Sequence, residues 1–303
     1  MSDQPRADPG DHIAVIAALG RLGLVGGWDR LRLGEALDGL DRADADLLLA
    51  AGMLELTGPD RYTVIDDDLV DLDGSTVGHA MVALLRRALE HTERRSAGWG
   101  DATADTVLSQ GRGSRAAADH IARELLPRMP GSRDALENGT SRFLDVGVGV
   151  GAIAARLCQL YPGLSCVGID VLPEVLRLAA DELTGLGLAA RVELRLQSVS
   201  EMSDESAFDL AWLAQPFIPR TAFEAGIPHV HRALRPNRWV VVPLATGAAS
   251  DPFEMAVFAH TAHMLGGGRI QVDEAEALLT TAGFGQITPT SWRGQMLVLA
   301  HRP

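Results

Sequence analysis

From residue 142 to the end of the chain, short apolar segments alternate with stretches in which apolar residues recur every three or four positions. The first pattern predicts strands and the second predicts helices. Strands are expected at 142–147, 164–170, 190–197, 208–217 and 238–245, helices at 152–161, 173–187, 225–234 and 273–283, and two last strands at 286–292 and 295–302. Such alternation predicts an α/β fold with a doubly wound, mainly parallel sheet, whose ligand binds beyond the carboxyl ends of the strands.

The first 76 residues show a different pattern. Helical spacing at 12–24, 33–40 and 42–54 predicts three helices, and 54–65 reads as two strands around a turn at 58–60. This order predicts a mainly helical, winged-helix-like domain. The acidic run at 66–75 is expected to be a solvated connector.

The intervening stretch, 77–130, is mostly helical in pattern, with breaks at 94–103 and 109–115 and at the prolines near its end. We therefore expect three regions. They are a winged-helix-like dimerisation module at 1–76, a helical bridge that covers the pocket at 77–130, and a catalytic domain at 131–303.

Composition narrows the possible partners. The chain has 303 residues and a net charge of −13, which would repel a nucleic-acid backbone. The third predicted helix and its approach carry Asp41, Asp44 and Asp46 against only Arg42, so a DNA-reading role for the winged-helix-like module is disfavoured. No apolar run is long enough to span a membrane, and the N-terminus lacks the pattern of a secretion signal, so we expect a cytoplasmic protein without membrane partners.

Residue types also exclude some chemistry. All 27 basic residues are arginine, which rules out lysine-based mechanisms. The two cysteines, Cys158 and Cys166, lack metal-type spacing and are expected to be small core side chains, and no metal site is expected.

The segment RFLDVGVGVGAIAARL, residues 142–157, carries the strongest functional motif. Its glycines allow positive φ angles and a close approach of a ligand to the backbone. Gly147, Gly149 and Ala152 fit the G-x-G-x-x-A fingerprint of nicotinamide dinucleotide domains, with Asp170 near the distance expected for a ribose contact. A competing pattern adds Asp145 before the first glycine and Gly151 after the second.

The second pattern is the first motif of the class I S-adenosylmethionine-dependent methyltransferases, which the chain resembles from about Arg142 to its end. Asp170 ends CVGID as the ribose-binding acid of that family ends its second strand, and ALRPNRWVVVPL is similar to the family's LRPGG turn, with Asn237 and Arg238 in place of the two glycines. The resemblance implies a Rossmann-like sheet of seven strands closed by an antiparallel hairpin. It also implies S-adenosylmethionine as cofactor.

Carried over by this resemblance, Asp145 and the backbone of Gly147 and Gly149 would hold the methionine amino group, and Asp170 would bind the ribose hydroxyls. The implied cofactor contacts are Asp145, Gly147, Gly149, Gly151, Asp170, Val171, Gln197, Ser198 and Gln215. Val171 or Leu172 would pack on the adenine. Gln197 and Ser198 stand where many members have an acid that binds the adenine amine, so this contact stays open.

The acceptor is expected near the end of the fourth strand, in LAQPFIPR. Gln215, Pro216 and Phe217 resemble the Asn-Pro-Pro-aromatic motif of enzymes that methylate amide or adenine nitrogens, but Gln replaces Asn and one proline is missing, so the acceptor atom stays open. Gln215 is a candidate catalytic residue, and Phe217 a candidate substrate contact.

Other candidates lie outside this loop. His260 and His263, three apart on one predicted helical face, are candidate general bases, and Trp99 in the bridge could meet the substrate.

The resemblance implies methyl transfer to a small molecule, in secondary metabolism, by a homodimer. The alternative is a fold relative that uses the bound sulfonium as a fixed charge for a rearrangement or hydroxylation. A ligand-sensing DNA regulator is a third possibility, which salt-dependent DNA binding would reveal. Release of S-adenosylhomocysteine during turnover separates the first two.

Overall fold

The structure is a computed structural model and describes residues 9–33, 35–37, 39–59, 61–65, 74–94, 98–247 and 252–303. The predicted acidic connector at 66–75 falls largely outside these residues, as does position 60 of the predicted turn. The helices are α1 (Pro9–Leu24), α2 (Gly27–Arg32), α3 (Gly39–Ala50), α4 (Gly74–Arg94), α5 (Ala104–Ser114), α6 (Ala116–His120), α7 (Pro130–Glu137), α8 (Ala152–Leu160), α9 (Pro173–Gly185), α10 (Arg220–Ala233), α11 (Pro252–Leu265) and α12 (Val272–Thr281). The strands are β1 (Leu54–Gly58), β2 (Arg61–Val64), β3 (Ser141–Val146), β4 (Leu164–Asp170), β5 (Val192–Leu196), β6 (Phe208–Leu213), β7 (Leu234–Gly247), β8 (Gly285–Trp292) and β9 (Gln295–Arg302).

Seven strands form one sheet in the order β5-β4-β3-β6-β7-β9-β8. The neighbours from β5 to β7 are parallel, whereas β9 runs antiparallel to both β7 and β8. Apolar residues are buried on both faces of this sheet, as a parallel sheet covered by helices requires. The expected α/β, Rossmann-like fold with its closing hairpin is confirmed.

The amino-terminal region contains three helices and an antiparallel hairpin, but the second helix is not where the pattern put it. It spans Gly27–Arg32 instead of 33–40, and residues 35–37 are not helical. Trp28 and Leu31 lie three apart and are both fully buried, so this short helix presents one apolar face to the core. Apolar positions in 33–40 had suggested a longer helix, but Leu33 is 74% exposed.

The break expected at 109–115 is confined to Arg115, between α5 and α6. Residues 109–114 lie inside α5, where a Cβ on Gly111 would stand 2.0 Å from Cγ2 of Val150. This glycine therefore lets α5 pack closely against the turn before α8 and does not interrupt the helix. The break expected at the prolines is confirmed at Met129, which is not helical, and Pro130 then begins α7 at a position where its missing N–H costs nothing. The expected domain boundary after residue 76 falls inside α4.

The acids near the third helix have partners within the chain. Arg21 Nη2 lies 2.8 Å from Asp41 Oδ1, and Arg21 also pairs with Asp44. Arg30 pairs with Asp41, and the hydroxyl of Tyr62 donates to Asp46. These carboxylates therefore hold the helices and the hairpin together.

Cys158 and Cys166 are buried in the core, as expected, and are free thiols. Among the described helices, none is long and apolar enough to cross a membrane.

Candidate functional site

A cavity of about 710 Å³ lies at the carboxyl ends of β3, β4 and β6 and is covered by α4 and α5. The sheet side contributes the glycine turn and the strand ends, because parallel strands direct their following loops to one edge. From the sheet side, the cavity is lined by strand ends and the loops that follow them: Asp145, Gly147, Gly149, Asp170, Val171, Gln197, Ser198, Trp212, Phe217 and Ile218. From the opposite side, it is lined by the helical cover and by the β8–β9 hairpin: Thr76, Ala80, Trp99, Val107, Gln110, Gly111, Ser114, Trp292, Arg293 and Gln295.

The glycine turn has the conformation that only glycine adopts readily. Gly147, Gly149 and Gly151 have φ angles of 77°, 54° and 76°. A Cβ on Gly149 would meet no atom within 4 Å, so this side of the turn is open space. Gly151 stands directly before α8 as its N-cap. The turn therefore exposes backbone to the cavity and starts the helix behind it.

Asp145 is the most unusual charged group in the site. It is only 1% exposed, and its Oδ2 has no hydrogen-bond partner in the part of the chain that the structure describes. Burial, helped by the nearby charge of Asp170 and opposed by a backbone hydrogen bond from Ala154, raises its pKa from 3.8 to about 7. A buried carboxyl oxygen without a partner suits a cationic donor from a ligand.

Asp170, at the end of β4, shapes the turn as well as facing the cavity. Its Oδ2 accepts from the Gly149 N–H at 3.2 Å, and its Oδ1 accepts from the Leu172 N–H at 3.1 Å. Burial raises the pKa of this carboxyl although those hydrogen bonds act in the opposite direction. Next to it, Val171 is 58% exposed and offers an apolar surface.

The loop after β5 adds two polar residues to the same end of the cavity. The Gln197 N–H donates to the Asp170 carbonyl at 2.9 Å, while the Gln197 Oε1 is buried without a partner among the described residues. The Ser198 hydroxyl is held by Ser200, at 3.3 Å from its N–H and 2.8 Å from its Oγ. Gln197 therefore has a free acceptor, whereas the hydroxyl of Ser198 caps its own turn.

Aromatic side chains form another wall of the cavity. Trp99 and Phe217 meet edge to face with 5.7 Å between ring centroids. The guanidinium carbon of Arg87 lies 4.7 Å from the Trp99 ring centroid, and the Trp99 Nε1 is buried with no partner in the described ranges. The structure thus brings together the two residues that the sequence suggested as substrate contacts.

The structure places Gln215 beneath the cavity. Its side chain is fully buried, its Nε2 donates to the carbonyls of Gly267 and Gly268 at 3.2 and 2.9 Å, and its Oε1 accepts from the Ala245 N–H at 2.8 Å. Both ends of the amide are used, so Gln215 braces the loop after β6 against β7 and the segment after α11. This position does not support direct contact with a cofactor or an acceptor.

The two histidine candidates are not brought to the cavity. His260 and His263 lie on α11, and both are exposed and stand outside the described cavity lining. The described residues also include no cluster of three or more His, Cys, Asp or Glu side chains that could hold a metal ion.

Sequence reasoning missed two features of the site. One is the buried Arg87–Glu90 pair in α4: Arg87 donates to the carbonyls of Gly98 and Met264, at 2.6 and 2.8 Å, and so anchors the loop that carries Trp99. The other is the β8–β9 turn, which brings Arg293 to the cavity. An Arg-Gly pair between two strands was a visible turn signal, but nothing local showed that it would face the site.

Comparison with known proteins gives these features a family context. Residues 143–237 match the family described as methyltransferase domain. The release factor glutamine methyltransferase of Cereibacter sphaeroides is 28% identical over 166 residues, covering 51% of this chain and 56% of that protein. The chain spans about half the length of the first curated relatives that it matches, from 46% to 56%.

Two solved structures are similar over nearly their whole length. Human N-acetylserotonin methyltransferase, solved with S-adenosylmethionine, has a TM-score of 0.62 at 15% identity and covers 99% of each chain. The pyocyanin biosynthetic protein PhzM has a TM-score of 0.60 at 20% identity and covers 95% of each chain. At these identities the likeness shows the shared fold, which extends through the amino-terminal region.

Proposed function

We propose that this chain, which carries a class I S-adenosylmethionine-dependent methyltransferase domain, transfers a methyl group to a small-molecule acceptor in secondary metabolism. The observation that carries the proposal is the buried, unpartnered Oδ2 of Asp145 beside an open glycine turn. The same cavity has an aromatic wall where an acceptor can lie.

The residues present fit this cofactor. Asp145 offers an anion to the amino group, and the open face of Gly149 lets a ligand approach the backbone. The Asp170 carboxylate suits ribose hydroxyls, the exposed Val171 suits an adenine face, and the unpartnered Gln197 Oε1 suits an amine donor. Gly151 contributes by starting α8.

When bound, S-adenosylmethionine supplies an activated methyl group on a sulfonium, so the chain's task is alignment and exclusion of water. Trp99 and Phe217 orient the acceptor by their rings, and the unpartnered Trp99 Nε1 donates to an oxygen or nitrogen of it. Arg87 and Gln215 do not contact the acceptor; they position Trp99 and Phe217 by holding the loops that carry these rings.

A small acceptor is favoured over a protein acceptor. Sequence relatives include release factor glutamine methyltransferases, whereas the neighbours in fold include the pyocyanin biosynthetic protein and the mitomycin 7-O-methyltransferase MmcR. In this chain α4 and α5 cover the cavity, and the Gln215 amide is occupied by backbone groups. Both observations support a compact acceptor enclosed by the cover.

The winged-helix-like amino-terminal module serves association of two copies. Support comes from exposed apolar side chains on α1, α3 and β1: Ile13, Leu40 and Leu56 are 58%, 63% and 57% exposed. A cytoplasmic location fits the two free thiols. In sedimentation experiments, the full-length wild type should be a dimer and the Leu40→Glu variant should shift toward monomer. A wild type that sediments as a monomer would refute the proposed dimer.

Calorimetry and product detection test the main proposal. The protein should bind S-adenosylmethionine and S-adenosylhomocysteine saturably and should not bind NAD. Candidate aromatic metabolites should then be screened for release of S-adenosylhomocysteine. Preference for NAD would refute the assignment, and turnover without S-adenosylhomocysteine would favour the alternative of a rearrangement or hydroxylation.

A further inference from the structure

The turn between β8 and β9 brings a cation to the cavity. Arg293 sits in this turn with a φ of 53° and is half-buried. Its guanidinium carbon lies 4.9 Å from the ring centroid of Trp292, a distance at which an arginine is attracted to an aromatic face. Both side chains line the cavity. Among the described lining residues, Arg293 is the only basic one.

The charges of the cavity are separated. Asp145 and Asp170 end the neighbouring strands β3 and β4, whereas β8 and β9 are at the other side of the sheet, beyond β6 and β7. With strands spaced about 4.8 Å apart, β3 and β9 are about 14 Å apart. The cavity thus has an acidic end where the cofactor would bind, an aromatic middle, and a basic end.

The basic end is built from packed rings. Trp292 stacks on His120 with 4.8 Å between centroids and 9° between planes. Burial, together with the charges of Arg293, Arg123 and Arg128, lowers the pKa of His120 to about 4, so this imidazole is neutral at neutral pH. Arg123 and Arg128 are mostly exposed and stand outside the described cavity lining, so Arg293 is the one of these three arginines that lines the cavity.

We propose that the methyl acceptor is a planar aromatic molecule with an anionic oxygen, a carboxylate or an ionised phenol, and that Arg293 binds this oxygen. The Trp99–Phe217 wall contacts the ring system, and the guanidinium fixes its orientation relative to the acidic end. The planar guanidinium of an arginine donates several N–H groups in a fixed geometry, so it recognises such oxygens more precisely than the ammonium group of a lysine does. The inference rests on the proposed function for calling this ligand the acceptor.

Calorimetric titration of the full-length protein saturated with S-adenosylhomocysteine tests this. The probes are 2-naphthoate and its neutral amide, 2-naphthamide, and separately 4-nitrophenolate and neutral 4-nitroaniline in mildly alkaline buffer. In at least one pair, the ratio of the neutral probe's Kd to the anion's Kd should be about ten or more for the wild type. The pair that shows this preference identifies the oxygen as a carboxylate or an ionised phenol. In Arg293→Gln that ratio should fall to about one, and Arg293→Lys should keep part of it.

Arg128→Gln is the matched control, because it removes a nearby exposed arginine that contacts Thr290 at 3.0 Å from outside the cavity. It should keep the wild-type ratio. Equal binding or no binding of both pairs to the wild type overturns the inference without any variant, and so does a preference that survives in Arg293→Gln. Failure of the wild type to bind S-adenosylhomocysteine would instead overturn the proposed function.

Discussion

Replacing Asp145 by Asn should make the cofactor-free protein more stable while weakening its cofactor binding. The wild-type carboxyl is buried, and its Oδ2 has no partner among the described residues. Because its pKa in the folded state is above the unfolded value, the folded protein holds this proton more tightly. The associated stability is therefore complete below about pH 4 and is lost as the pH rises through about 7.

The size of this effect follows from the two pKa values. At about 1.4 kcal/mol per tenfold change in proton affinity, a rise from 3.8 to about 7 corresponds to about 4 kcal/mol of lost stability above neutral pH. Asparagine carries no charge, but its amide N–H₂ would take the place of an oxygen that lacks a partner, which costs about 1–3 kcal/mol. The expected net gain for Asp145→Asn is therefore about 1–3 kcal/mol at pH 8 and close to zero or negative at pH 5.

Urea unfolding of the cofactor-free protein at both pH values, followed by tryptophan fluorescence, measures this gain. Asp209→Asn is the matched control, since Asp209 is equally buried but pairs with Arg235 and Arg238 and accepts the Arg142 N–H at 2.9 Å. Its replacement should lower the free energy of unfolding by about 2 kcal/mol, less than the roughly 3–5 kcal/mol of a fully buried pair, because both arginines are partly exposed.

Cofactor binding by Asp145→Asn should be weaker and should lose its dependence on pH near neutrality, whereas the wild type should release a proton when it binds below about pH 7. Titration in two buffers of different ionisation enthalpy detects that proton. The reasoning is refuted if Asp145→Asn destabilises the protein at pH 8 as much as Asp209→Asn does. An unaltered cofactor affinity would separate Asp145 from the ligand altogether.

Three other variants test contacts around the cavity. Asp170→Ala should weaken S-adenosylmethionine binding by about 1.5–3 kcal/mol in calorimetry, because a ligand contact and the support of the Gly149 N–H are both lost; unchanged affinity would contradict this. Glu90→Gln should lower the free energy of unfolding by about 3–5 kcal/mol, because it leaves the buried Arg87 without its counter-charge, and an unchanged urea midpoint would argue against that role. Gln215→Leu should lower the free energy of unfolding by about 2–4 kcal/mol, because it leaves the Ala245 N–H and the carbonyls of Gly267 and Gly268 without a hydrogen-bond partner. It should also lower kcat with little change in the cofactor Kd. A wild-type kcat in a folded variant would show that this loop does not align the acceptor.

The cofactor end of the site was predictable because it is local in sequence. Asp145 and the glycines lie within one strand, turn and helix start, and Asp170 follows at the end of the next strand. The hydrogen bond from the Gly149 N–H to Asp170 joins two such strand ends, which parallel pairing puts side by side. The proposed acceptor end was not predictable in the same way, since its residues come from distant segments of the chain.

Gln215 and Arg87 illustrate that difference. The sequence placed Gln215 at the right strand end, but only the packing of residues about 50 positions away shows that its amide is used up by Gly267 and Gly268. Arg87 reaches the carbonyl of Met264, 177 positions distant, and no local pattern reveals such a contact. His260 and His263 share a helical face as expected, yet the packing of α11 leaves both exposed.

The sequence by itself determined the alternation of strands and helices, the first and third helices with the hairpin at the amino end, and the glycine turn, because periodicity and turn chemistry act over a few residues. The tertiary structure decided that Gly111 packs against Val150 and that Arg293 lines the cavity. The physical reason is that burial and charge pairing depend on what lies across space. A side chain's chemistry can be read from its letter, but its role depends on which groups the fold brings near it, and for Arg293 these include the ring of Trp292 and the lining of the cavity.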